Sequence, residues 1–81
     1  MPKLKVLSGK DIMRISFLFG FEIISQKGSH IKLQRTTKDN TKQSVTVPNH
    51  HELDKGTLKS IIRQLSEYIF IDELNKHFYT D

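Results

Sequence analysis

Apolar positions change their period along this chain, and each change marks an element. Ile12, Ile15 and Phe19 recur at helical spacing. Ser8-Gly9-Lys10-Asp11 precedes them in the form of a capping box, with a hydroxyl at the N-cap and a carboxylate three residues on. Leu7 and Ile12 fit a hydrophobic staple, and Gly20 suits the residue after the helix. A first helix is predicted over about 9–19. The period then shortens toward two. Residues 21–27 read as a strand, with Phe21 and Ile23 on one side and Ile24 on the other. Gln26-Lys27-Gly28-Ser29 reads as a turn. Residues 30–35 alternate cleanly, with Ile31 and Leu33 facing one way and His30, Lys32 and Gln34 the other. A polar stretch with the turn signal Asp39-Asn40 leads to a third strand, 43–47. There Val45 and Val47 match the inward face, and Ser44 and Thr46 the outward one. Pro48 ends that ladder, having no amide to donate.

Helical spacing returns after Asp54, a good N-cap. Leu58, Ile61, Ile62 and Leu65 form one apolar stripe, and Lys55, Lys59 and Arg63 form a basic row on another face. Residues 66–70 fit no period, and Ile71, Leu74 and Phe78 suggest a short last helix. Residues 1–7 read as a lead-in. The predicted fold class is α+β: an α-β-β-β-α order with a three-stranded antiparallel sheet, helices on one face, and a C-terminal helix. The opposite sheet face is open to solvent and carries His30.

The 81 residues suffice for one domain, with its core in about 7–65 and a helical extension over about 66–81. Cysteine is absent, which excludes disulfides, thiol catalysis and cysteine-based zinc sites. No apolar run approaches the roughly 20 residues of a membrane span, and the first five residues lack the apolar region of a signal peptide. A soluble cytoplasmic protein without membrane partners is expected. The net charge of +4 is unevenly spread. Residues 1–63 hold 12 Lys and Arg against 5 Asp and Glu, whereas residues 64–81 hold one Lys against 4 acids. A basic body points to a polyanionic partner.

The open face collects His30, Lys32, Gln34, Ser44 and Thr46, and with Lys55, Lys59 and Arg63 these residues suit a phosphate backbone. An imidazole exchanges protons near neutral pH, so His30 suits the 2′-hydroxyl or the leaving 5′-oxygen of an RNA without any metal. The alternative readings are a solvated surface histidine and a solvated basic row. His50-His51 makes a poor chelate, because neighbours along a strand point apart, and no zinc spacing occurs. His77 lies in the tail with no expected role. There is no glycine-rich phosphate loop and no G-x-S-x-G, and Ser29-His30 is not a nucleophile–base pair. The aromatics read as core rather than as a stacking platform for bases.

Three segments together resemble one family. Leu7-Ser8-Gly9-Lys10-Asp11 leading to Phe19-Gly20-Phe21 is similar to its first helix. Gln26-Lys27-Gly28-Ser29-His30 looks like its R/K-Q-K-G-S-H turn. Val45-Thr46-Val47-Pro48-Asn49-His50, followed by Gly56-Thr57-Leu58-Lys59-Ser60-Ile61-Ile62-Arg63-Gln64, looks like its V-x-V-P-x-H and G-T-L-[RK]-S-I signature. This is the HicA (YcfA-like) toxin family of type II toxin–antitoxin pairs, and the resemblance covers about residues 3–65. It implies a double-stranded-RNA-binding-like fold and metal-independent endoribonuclease action on mRNA. It also implies control by a HicB-type antitoxin and no small-molecule cofactor. By motif match His30 takes the catalytic position. Lys27, Gly28, Ser29, Lys32, Lys55, Lys59 and Arg63 are the expected RNA contacts, with His50 a secondary candidate. The chain departs from the family pattern at Ile31, where many members carry a second histidine, and after Gln64, where it runs a few residues longer. Two other classes stay open from the residues alone: a non-catalytic RNA-binding module of the same fold, and a protein-interaction domain.

Overall fold

The computed structural model describes residues 2–80, and Met1 and Asp81 lie outside them. Ser8 starts helix α1 (Gly9–Leu18) with a complete capping box. Its hydroxyl accepts from the Asp11 amide at 3.1 Å, and the Asp11 carboxylate accepts from the Ser8 amide at 2.9 Å. The chain reverses through Phe19 and Gly20 into β2 (Glu22–Lys27), then β3 (His30–Thr36) and β4 (Lys42–Pro48). These pair antiparallel in the order β2-β3-β4. Helix α2 (Lys55–Ser66) follows, its first turn capped by Asp54, which accepts from the Thr57 amide at 2.7 Å. Helix α3 (Ile71–Phe78) closes the order. The α-β-β-β-α arrangement is the one expected. Among the described residues no helix is long and apolar enough to cross a membrane.

The termini add a small sheet that the sequence pattern did not reveal. β1 (Lys3–Leu4) pairs antiparallel with β5 (Tyr79–Thr80), and the Lys5 amide donates to the Phe78 carbonyl at 2.8 Å. Two residues of alternation are too few to register as a strand; it forms because the far end of the chain arrives beside it. Leu74 and Phe78 are wholly buried in the same core as Ile12, Leu33, Val45 and Leu65, so the C-terminal segment is built into that core.

Ile31, Leu33, Val45 and Val47 form the covered face of the sheet as predicted, with α1 and α2 both packed over β4. The expected alternation of β2 fails. A register shift between Ile23 and Ser25 inserts Ile24 as an extra residue, a β-bulge. Ile23, paired with Leu33, stays about half exposed, as does Ile24. The reason is the placement of the helices, which leaves β2 exposed along its whole length.

Arg35 holds the end of the molecule remote from the β2–β3 turn. It continues the inward row of Ile31 and Leu33, at the point where that row leaves the apolar core. Its guanidinium donates to the Phe19 carbonyl at 2.9 Å, the Tyr68 carbonyl at 3.2 Å and the Gln43 side chain at 2.6 Å. It also lies 5.0 Å from the centre of the Phe21 ring. Phe19 terminates α1 and Tyr68 follows the end of α2, so one cation meets the carbonyl ends of two helices, where positive charge is favourable. On the other side of Phe19, the His77 ring stands edge-on at 5.5 Å, so His77 has a packing role that its position in the tail did not suggest.

Arg35→Lys retains the charge but cannot span these acceptors. It should cost about 1–3 kcal/mol, read as a lowered urea midpoint with an unchanged m-value.

Acid should weaken the fold through its caps. Hydrogen bonds from Ser8 hold Asp11 below the ordinary carboxylate value of 3.8, and the amide and hydroxyl of Thr57 do the same for Asp54. A lowered folded-state pKa means the unfolded chain binds the proton more readily. This stability is therefore present above the ordinary value and lost as pH falls through it and below. Asp54→Asn keeps a capping oxygen but no titrating group. It should leave the melting temperature at pH 7 nearly unchanged and shallow its fall below about pH 4.

Candidate active site

The strand directions sort the molecule into two ends. Arg35 marks one. At the other stand the first turn of α1, the β2–β3 turn, the end of β4 and the first turn of α2. Every sequence-predicted residue of the glycine turn lies there. Gly28 adopts φ +56°, a left-handed conformation that glycine takes at little cost, and this allows the two-residue connection between Lys27 and His30. Lys27 and His30 are directly opposed across β2 and β3, and His30 is opposed on its other side by Pro48. His30 and Lys32 are exposed on the open face. His30 thus begins a central strand whose backbone is bonded on both sides while its imidazole is in solvent.

The ladder runs one step past Pro48, where the Asn49 amide donates to the Ser29 carbonyl at 2.6 Å. The chain then meets the start of α1. The Gly9 amide donates to the His50 carbonyl and the Leu53 amide to the Leu7 carbonyl, each at 2.8 Å. The approach is close enough to demand glycine. A Cβ on Gly9 would lie 2.5 Å from the Pro48 carbonyl oxygen and 2.7 Å from the Asn49 Cα. His50 is thus exposed on a segment pinned to both the glycine turn and α1. With Ser8, Lys10, Asn49 and His51 it lines a hollow of about 260 Å³. Ser8, Gly9, Lys10 and Asn49 were not singled out as site residues from the sequence. The readable signal was Gly9, an otherwise unfavourable residue in a first helical turn.

Other expected members are placed differently. Gln34 and Ser44 do lie on the open face, but they bond each other at 3.2 Å. On α2, the Gln64 side chain reaches the free edge of β4 and accepts a long bond, 3.4 Å, from the Thr46 amide. The row Lys55, Lys59 and Arg63 is centred about 140° around the helix from Gln64. The basic row consequently lies on the flank turned away from that edge, and it does not extend the open face into one continuous surface. Lys55 is the member nearest the histidine end, since it directly follows the Asp54 cap. Among the described residues the ion pairs are Arg14–Asp11 and Lys76–Glu73, so Lys27, Lys32, Lys55, Lys59 and Arg63 have no carboxylate partner there. No cluster of three metal-ligating side chains occurs among the described residues. A hollow of about 610 Å³ lies between Pro2, α3 and Tyr79, with neither His30 nor His50 in its lining.

A three-stranded antiparallel sheet with helices over one face and an exposed, cation-flanked histidine on the other defines a small α+β domain of the double-stranded-RNA-binding type. The sequence model of one family matches residues 9–66 and is described as the HicA toxin of bacterial toxin–antitoxin systems; the chain belongs to that family. Comparison with curated proteins and with solved structures returns no match.

Gly9→Ala must displace the Pro48–His50 backbone. It should lower stability by roughly 1–3 kcal/mol in urea unfolding and shift the NMR signals of Ser29, His30 and Asn49 more than those of Arg35.

Proposed function

We propose that this toxin is an endoribonuclease that cleaves mRNA without a metal, with His30 exchanging a proton with the reacting RNA, and that a HicB-type antitoxin holds it in check. One observation carries the reading. His30 is exposed at the start of the central strand, braced by pairing on both sides and flanked by Lys27 across the ladder and Lys32 two residues on. A braced imidazole beside unpaired ammonium groups suits a backbone phosphate: the cations hold the anion and the ring moves the proton. Lys59 and Arg63, being turned away, hold a stretch of RNA remote from the cleaved bond, and Lys55, nearer the histidine end, joins the two. The antitoxin acts by covering the His30 end, and both act in the cytoplasm.

Inducing the wild-type chain should arrest growth and fragment mRNA. His30→Ala at equal abundance should remove both while leaving the melting temperature within a few degrees. The purified wild-type chain should cut RNA in excess EDTA, and the variant should be slower by about 10²–10⁴-fold. RNA binding with no cleavage by the wild type would instead favour a non-catalytic RNA-binding module of the same fold.

A further inference from the structure

Moving one proton does not complete RNA cleavage. The 2′-hydroxyl must lose a proton as its oxygen bonds to phosphorus, and the departing 5′-oxygen must gain one as its bond to phosphorus breaks. His30 alone would have to serve both sides of the phosphorus in turn. The chain carries four histidines. His77 is stacked against Phe19 at the Arg35 end. His51 lies one residue beyond the pinned carbonyl of His50, outside the three backbone bonds made by Asn49, Gly9 and Leu53. His50 is held differently. It lies two residues past Pro48, the cross-strand partner of His30. The Asn49 amide, bonded to the Ser29 carbonyl, and the His50 carbonyl, bonded to the Gly9 amide, hold it at the same end of the sheet as His30.

We infer that His50 is the second proton-transfer group of this site: the general acid that protonates the 5′-oxygen, with His30 the general base that takes the 2′-hydroxyl proton. This rests on the reading of the chain as a ribonuclease. In the step, the 2′-oxygen bonds to phosphorus, the bond from phosphorus to the 5′-oxygen breaks, and a 2′,3′-cyclic phosphate and a free 5′-hydroxyl are released. One proton passes to His30 and one leaves His50, so charge and atoms balance with no co-reactant. Exchange with water then resets the pair.

The neighbours of each histidine favour this division. His30 is flanked by Lys27 and Lys32, with no carboxylate bonded to either among the described residues. His50 shares its hollow with Lys10 of α1 and adjoins His51, and the Asp54 carboxylate that caps α2 is a charged neighbour. Lys10, in the same hollow, is placed to hold a phosphate oxygen. The pinning also explains why a loop position serves: the His50 carbonyl is fixed by the Gly9 amide, so changing the side chain leaves that anchor intact.

The test uses the full chain and one RNA oligomer containing a cleavage position mapped with the wild type. A second oligomer has sulfur in place of the bridging 5′-oxygen at that position. A thiolate leaves without being protonated, so loss of the general acid is bypassed. His50→Ala and His50→Gln should both cut the ordinary oligomer about 10²–10⁴-fold more slowly than wild type, and the sulfur-bridged one within about tenfold of wild type. His30→Ala should be slow on both. The pH–rate profile of His50→Ala should lose its fall at high pH and keep its fall at low pH. Equal slowing of both oligomers by the His50 variants, or no slowing of either, overturns the assignment. A wild type that cuts neither oligomer overturns the ribonuclease reading itself, which is a separate result.

Discussion

The architecture depends on a single cation satisfied by carbonyls. Among the described residues Arg35 has no carboxylate partner; its fork meets the Phe19 carbonyl that ends α1, the Tyr68 carbonyl after α2 and the Gln43 side chain. Helix C-termini carry partial negative charge and unbonded carbonyls, and a guanidinium meets both needs at once. The two helices that end on this cation also begin together, since the Gly9–His50 and Leu53–Leu7 bonds join the segments before them. The N-termini of α1 and α2, with their partial positive charge, are therefore gathered around the histidine turn. The electrostatic division of the domain thus comes from the direction of its helices as well as from its side chains.

The histidine end works by restraint of backbone rather than by enclosure. His30 and His50 are both exposed. Their positions are set instead by main-chain hydrogen bonds: the ladders on either side of β3, the Asn49–Ser29 bond, and the Gly9–His50 bond. Such an arrangement leaves a flat, open surface that a long polymer can cross. It suits an extended polyanion better than a small molecule, which would need burial on several sides.

The sheet is covered unevenly. α1 and α2 sit over β4, and α3 and the terminal pair close the remaining core, while β2 stays exposed with a bulge in its middle. A bulged edge strand resists pairing with another chain, which reduces the aggregation risk of an uncovered edge. Phe70, the most exposed large apolar side chain among the described residues, lies in the α2–α3 connection beyond the span matched by the family.

Local periodicity by itself determined the element order, the inward row of Ile31, Leu33, Val45 and Val47, the caps at Ser8 and Asp54, and the outward position of His30. Each of these follows from interactions within a few residues or from a period of two or 3.6, which sequence displays directly. The motif spacing likewise pointed to the family. What the tertiary structure decided are relations between segments far apart in the chain. Arg35 reads as one more residue of an alternating strand until Phe19 and Tyr68 arrive around it. Lys3 and Leu4 become a strand only because Tyr79 and Thr80 reach them. The basic row of α2 is plain in the sequence, but which flank it occupies depends on Gln64 meeting the edge of β4. His50 is pinned against the start of α1 only because the glycine there lets two backbones approach within contact. Long-range pairing is settled by the joint packing of all segments, and no local pattern encodes it.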